Sequence, residues 1–200
     1  MKKAIIFDYG GVVTYGGGGN GVAKLFAKTY GLSVDKSRSI MTKPWHNLVR
    51  GNSTEDEFWK QVEAELGQPI APDKRDVWTT WEDMKPNEDM LALIEKLKKD
   101  GYIVGMLSNV IPYTANFLKQ NGVYDLFDPC ILSFEVGQAK PDKDIFLTLL
   151  NTMPQIKTSE IIYIDDQQRH LVTASDLGII TILAKSPSQI ASEIENILSN

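Results

Sequence analysis

The chain predicts an α/β fold: a parallel sheet flanked by helices, with one all-helical insert. Three observations carry this. Short apolar runs recur without the polar alternation of a half-exposed strand, as in strands buried on both faces. Amphipathic helical patterns separate most of these runs, and strand–helix alternation implies parallel crossover units. Residues 16–85, between the first and second runs, carry helical patterns and no convincing strand.

The first run is Ala4-Ile5-Ile6-Phe7, closed by Asp8 and followed by Tyr9-Gly10-Gly11-Val12-Val13. A buried strand ending in a carboxylate and then two glycines puts an acid at the carboxyl edge of the sheet, where open α/β folds bind ligands. The glycines let a ligand come close to the backbone. In the insert, Val22, Leu25 and Phe26 make one helical stripe. Phe58, Val62 and Leu66 make another behind the capping signal of Thr54 and Glu57, with Trp78 and Trp81 beyond. Gly16-Gly17-Gly18-Gly19 and Lys85-Pro86-Asn87 read as hinges, so residues 1–15 and 86–200 are assigned to the core and 16–85 to a cap. The glycine run lacks the spacing and the Lys-Ser/Thr ending of a phosphate loop; flexibility for cap movement is the simpler reading.

After the insert, Met90, Ile94 and Leu97 share a helix face between an Asn87 N-cap and Gly101. Strands are expected at Tyr102–Leu107, Cys130–Phe134, Ile161–Ile164 and Ile179–Leu183. Helices are expected around Ile145, Phe146, Leu149 and Leu150, around Leu171, Ala174 and Leu177, and after Ser186-Pro187 with Ile190, Ile194 and Ile197 inward.

Composition bounds the function. Of 200 residues, 42% are hydrophobic and 24% charged, which suits a soluble globular chain with a real core. The net charge of −5, without a basic block, argues against nucleic acid as a partner. No segment approaches the roughly 20 apolar residues of a membrane span, and the run behind Met1-Lys2-Lys3 is too short for a secretory leader. The expectation is a cytoplasmic protein without a membrane partner. Cys130 lies in an apolar stretch away from both histidines and reads as a buried structural thiol.

Three further strand ends carry chemistry: Ser108-Asn109, Lys140 within Gly137-Gln138-Ala139-Lys140-Pro141-Asp142, and Asp165-Asp166. Taken singly, each has an ordinary reading as a helix cap, a loop charge or a surface turn. Together with Asp8, in this order and each on its own element, they form the signal.

With these residues in place, the chain resembles the haloacid dehalogenase-like hydrolases that carry a helical cap between the first and second motifs. The resemblance spans essentially the whole chain. It rests on Phe7-Asp8-Tyr9-Gly10-Gly11-Val12, Leu107-Ser108-Asn109, Lys140-Pro141-Asp142 with Ile145-Phe146, and Ile164-Asp165-Asp166. The cap segment from Gly51 to Trp59 is also similar to this group, within which the chain most resembles the branch of sugar-phosphate phosphatases and the phosphatase domains of epoxide hydrolases. The resemblance implies a Rossmann-like core and a phosphatase acting on a small phosphorylated substrate. For the oligomeric state, monomer and weak homodimer both stay open. Asp8 would attack phosphorus and form an aspartyl-phosphate. Ser108, the amides of Tyr9 and Asn109, Gly10 and Lys140 would bind the substrate. Mg²⁺ would be held by Asp8, the Gly10 carbonyl and Asp166, with Asp165 helping directly or through water. An oxygen-only ligand set suits that ion.

One departure matters. The family's phosphatases usually carry a second aspartate two residues after the nucleophile, as general acid and base; here that position is Gly10. Such help is typically worth ~10² to 10⁴ in rate. Either turnover is slow, or another group serves, or the leaving group needs little help; the expectation adopted is substrates with good leaving groups, such as sugar 1-phosphates. His170 stands where the family often has Asn, as a metal-side group or a solvent-facing helix residue. His46, Asn47 and Arg50, beside Trp45, are either readers of the substrate or outer faces of the cap. Two alternatives are a metal-free dehalogenase using the same aspartate, which the Asp165-Asp166 pair disfavours, and a non-catalytic phosphate-binding protein.

Overall fold

The computed structural model describes residues 3–14, 19–75 and 84–199; Gly16, Gly17, Gly18, Trp78, Trp81 and the side chain of Val22 lie outside the described parts. Among the described residues the strands are β1 (Ala4–Phe7), β2 (Ile103–Ser108), β3 (Cys130–Leu132), β4 (Ile161–Asp165) and β5 (Ile180–Leu183). They form one parallel sheet in the order β3-β2-β1-β4-β5, which puts the strand of Asp8 at its centre. The helices are α1 (Gly19–Tyr30), α2 (Val34–Leu48), α3 (Glu55–Leu66), α4 (Glu88–Lys99), α5 (Pro112–Gln120), α6 (Ser133–Val136), α7 (Lys143–Asn151), α8 (Gln168–Asp176) and α9 (Pro187–Ser199).

The unalternating strands have the expected cause: both faces of the sheet are covered. Ile5, Phe7, Val104, Met106, Ile162 and Ile164 pack with Met90, Ile94 and Leu97 of α4 and Ile190 and Ile194 of α9. On the other face, Ala4, Ile6, Leu107, Ile161 and Tyr163 meet Ile145, Phe146 and Leu149 of α7 and Leu171 and Ala174 of α8. Burying each large side chain of this kind favours folding by roughly 1.5–3 kcal/mol.

The helices of the insert build a third cluster of their own from Phe26, Ile40, Met41, Leu48, Phe58, Trp59 and Val62. Ile111 and Ala139, from loops of the sheet, join it, so the insert closes onto the loops that follow β2 and precede α7. At Gly51, φ is +66° and an added Cβ would lie 2.6 Å from the Phe134 carbonyl oxygen, so only glycine allows this approach. The two crossings between core and insert are stitched together. Thr14 bridges Pro86, Asn87 N–H donates to Val13 at 2.7 Å, and the Tyr9 hydroxyl donates to Met84 at 2.5 Å.

The capping signals behave as expected. Thr54 and Glu57 form a reciprocal capping box, and Asn87 accepts from the Asp89 amide at 2.9 Å. Three differences have physical reasons. The strand expected over Cys130–Phe134 stops at Leu132. There the buried Ser133 hydroxyl takes the Val110 amide at 3.0 Å and donates to the Val110 carbonyl at 3.3 Å, and the chain turns into α6. Helix α2 was not anticipated: Pro44 reads as a breaker, yet Ile40, Met41, Pro44 and Leu48 share its buried face. Helix α5 opens on Pro112 and was also missed. Cys130 is half-buried, and burial pushes its thiol up to about 12. No helix among the described residues is long and apolar enough to cross a membrane.

Candidate active site

Register brings the site together. Phe7 pairs with Ile164, and the Asp8 amide donates to the Ile164 carbonyl at 2.8 Å, so Asp8 and Asp165 sit side by side at two adjacent strand ends. Phe7 also pairs with Met106, which sets Ser108 two residues further along the neighbouring strand, 5% exposed. Lys140 arrives on the loop between α6 and α7. That loop is clamped by the Asn109 side chain, which accepts the Lys140 amide at 2.8 Å and donates to the Lys140 carbonyl at 2.9 Å. Thr173 of α8 holds the next carbonyl, that of Pro141, at 2.9 Å. Sequence reasoning assigned Asn109 an amide role only; its side chain is what holds the lysine loop against β2.

The Lys140 ammonium is fully buried, 2.9 Å from Asp8 Oδ1 and 2.7 Å from Asp165 Oδ2. Burial works against its charge, but Asp8 and Asp165 together hold it above its ordinary value. For Asp8 the balance is opposite. Burial raises its carboxyl to about 7, although Lys140 pulls it down; Asp165 and Asp166 raise it further. Burial also opposes the charge of Asp165, but Lys140 and His170 hold it well below the usual carboxylate range. The difference follows from what offsets burial: at Asp8 and Asp166 burial outweighs the neighbouring ammonium, whereas at Asp165 Lys140 and His170 together outweigh burial.

Asp166 is built differently from Asp165. Its Oδ1 is buried and has no hydrogen-bond partner among the described residues. Its Oδ2 lies over the loop after β1, where a Cβ on Gly11 would come within 2.9 Å of it and the Gly11 φ is +78°. The positive φ calls for glycine at 11, and the missing Cβ also leaves room for the Asp166 carboxylate, whereas sequence reasoning ascribed Gly11 to an approaching ligand. Burial, and then the charge of Asp165, raise the Asp166 carboxyl. An unpartnered buried oxygen beside two other acids fits a divalent cation bound through oxygen.

Asp8, Asp165 and His170 also bring ligand-type atoms within 4.8 Å of one another. That trio is a poorer cradle, because the Lys140 ammonium already lies against both of its carboxylates.

The remaining sequence candidates divide. The Tyr9 amide donates to Asp8 Oδ1 at 2.7 Å, and the Tyr9 ring is buried with its hydroxyl on Met84. Gly10 is half-buried at the turn between Asp8 and Gly11. His170 is 1% exposed, so the solvent-facing reading is excluded; its Nδ1 lies 2.9 and 3.0 Å from the two Asp165 oxygens. Burial lowers its affinity for a proton, and an Nδ1–H tautomer is the form that donates to Asp165. Its Nε2 is buried without a partner among the described residues. His46 is exposed on α2. Trp45 packs partly buried against the insert's cluster. Arg50 pairs with Asp142, two residues past Lys140.

The comparisons agree with this geometry. The sesquiterpene phosphatase astK of Aspergillus oryzae is 27% identical over 181 residues, covering 89% of this chain and 87% of that protein. Bifunctional epoxide hydrolase 2 of Rattus norvegicus is 29% identical over 122 residues, covering 56% of this chain and 21% of that protein. Among solved structures, a haloacid dehalogenase family enzyme of Bacteroides thetaiotaomicron, crystallised with magnesium and inorganic phosphate, superposes with a TM-score of 0.74. It is 24% identical and covers 92% of this chain and 95% of that one. A family model described as haloacid dehalogenase-like hydrolase matches residues 2–178, which take in the insert and every acid around Lys140; the chain belongs to that family of hydrolases.

Proposed function

We propose that this hydrolase is a Mg²⁺-dependent phosphatase of a small phosphorylated metabolite, with Asp8 as nucleophile. The observation that carries the reading is the division of labour among the acids. Asp8 is buried with the Lys140 ammonium and the Tyr9 amide both on its Oδ1, while Asp166 keeps a buried oxygen without a partner among the described residues. The phosphatase relative, and the relative crystallised with magnesium and phosphate, support it.

The other Asp8 oxygen would attack phosphorus, and the leaving oxygen would depart as the aspartyl-phosphate forms; water attack on phosphorus would then restore the carboxylate. Lys140 opposes the charge that gathers on the phosphoryl oxygens, from a fully buried position where screening is weak. Ser108 lies at the adjacent strand end as a hydroxyl donor for the same oxygens. Asp8, Asp166 and the Gly10 carbonyl would hold Mg²⁺, which when bound offsets the excess negative charge of three carboxylates and a phosphate. Asp166 has no such purpose in a metal-free dehalogenase, which disfavours that alternative.

Gly10 supplies no proton to a departing oxygen. The substrate class we favour is therefore esters whose leaving group needs little protonation, such as anomeric, acyl or aryl phosphates, with sugar 1-phosphates among them. Phosphate release from p-nitrophenyl phosphate in Mg²⁺ tests the proposal. Activity should vanish in EDTA and in Asp8→Asn; activity that survives Asp8→Asn would remove the nucleophile and the proposal with it.

A further inference from the structure

We infer that Tyr163 and His170 are positioning residues: they lock Asp165 so that it aims the Lys140 ammonium at Asp8. The inference rests on the proposed role of Asp8 but concerns two residues which that proposal leaves without a task.

Asp165 is wholly buried and surrounded by donors. Its Oδ1 takes the Gln167 amide at 2.8 Å and His170 Nδ1 at 3.0 Å. Its Oδ2 takes Lys140 Nζ at 2.7 Å, His170 Nδ1 at 2.9 Å and the Tyr163 hydroxyl. A carboxylate so fully used keeps its charge and has no lone pair in reach for a metal ion. Asp165, expected to help the metal directly or through water, is thereby left no direct part in it; Asp166 would serve beside Asp8 and the Gly10 carbonyl, and Asp165 becomes the fixed counter-charge of the lysine.

Tyr163 holds the lysine from a second side. Its ring lies 5.6 Å from Lys140 Nζ, within range of a cation–π contact. The ring is itself fixed edge-on by Phe146, with centroids 5.5 Å apart. A lysine is a flexible point charge with three N–H donors. Here two of them are directed to Asp165 and Asp8, and the third is left for a phosphoryl oxygen. Without the Tyr163 hydroxyl and the His170 N–H, Asp165 would keep its charge but lose its fixed orientation, and the ammonium would lose its aim. An Asn at 170 would still offer an N–H, because its Nδ2 is as far from the backbone as the Nδ1 of histidine.

Tyr163→Phe, His170→Ala and His170→Asn separate aiming from mere packing. With p-nitrophenyl phosphate and saturating Mg²⁺, Tyr163→Phe and His170→Ala should each lower kcat by about ten- to a hundredfold, the consequence of losing a hydrogen bond to a buried charge. KM should hold, and His170→Asn should recover most of the rate. Crystal structures of the same variants give a readout that needs no turnover: Lys140 Nζ should leave Asp8 Oδ1 in Tyr163→Phe and His170→Ala and stay in His170→Asn. An ammonium that keeps both carboxylates in all three variants, or a kcat unchanged in Tyr163→Phe and His170→Ala, overturns the inference. Should the wild type release no phosphate, the phosphatase proposal fails, and the position of Lys140 in the variant crystals decides this one alone.

Discussion

Arg50 Nη2 lies 2.6 Å from Asp142 Oδ2, an ion pair that joins the helical insert to the loop before α7, two residues beyond Lys140. Arg50 also donates to the His46 carbonyl at 3.2 Å, which fixes the guanidinium against the end of α2. The insert thus touches the loop that carries the buried lysine.

The pair is part-exposed, with side chains 22% and 52% accessible, so its worth in stability is small, on the order of 1 kcal/mol or less. Its effect is expected in substrate capture. Arg50→Ala should raise KM for p-nitrophenyl phosphate while leaving the melting temperature nearly unchanged. The wild type should approach the variant as salt is added, because screening weakens the same contact. Steady-state kinetics across a salt series check this; a KM that ignores both changes refutes it.

Gly10 predicts a steep dependence on the leaving group. Aryl phosphates should turn over far faster than alkyl phosphates, by a factor approaching the ~10² to 10⁴ of general acid catalysis. Gly10→Asp should raise the alkyl rate more than the aryl rate. A series of phosphate esters of graded leaving-group acidity measures both, and equal rates on the two classes would refute the argument.

The raised Asp8 carboxyl predicts proton release on metal binding. With its carboxyl near 7 in the metal-free protein, Asp8 is about nine-tenths protonated at pH 6, and that proton must leave when the cation binds. The sign is fixed by burial: Mg²⁺ affinity rises as pH increases toward 7 and levels off above it. Calorimetry in buffers of different ionisation enthalpy should find close to one proton released at pH 6 and few at pH 8.5. Equal release at the two values would exclude Asp8 as a ligand.

Gly11→Ala should hurt twice. Its φ of +78° disfavours any side chain, by roughly 1–2 kcal/mol, and the new Cβ would press on Asp166 Oδ2 at 2.9 Å. We expect a lower melting temperature and a weaker Mg²⁺ affinity together. A Gly31→Ala control, where φ is +65° but nothing lies within 4 Å of the new Cβ, should lower stability without touching the metal. Thermal unfolding and Mg²⁺ titration of the two variants distinguish strain from the contact.

Much of this was legible along the chain. Ala4–Phe7, Ile103–Ser108 and Ile161–Asp165 announce themselves as strands because burial on both faces removes polar alternation, and that pattern is local. The order of Asp8, Ser108, Lys140 and Asp165-Asp166 at strand ends was legible for the same reason. Ser133 was not: its hydroxyl ends β3 only because Val110 lies beside it in space, 23 residues away in the chain. Helix α2 is not marked by a clear stripe along the chain, and its Pro44, unfavourable in a helix interior, is held there by packing within the insert.

The same division runs through the site. By itself the sequence determined which acids, amides and lysine the fold could deliver to one edge, since those are set by residue type and by the period of each element. Only the tertiary structure decided which of two adjacent aspartates is saturated and which keeps an oxygen open. Donors from Tyr163, Gln167, His170 and the distant Lys140 converge on Asp165. Asp166, one residue on, turns instead toward Gly11. Successive side chains leave a strand end in different directions, and what each one meets depends on elements that the chain reaches only after folding.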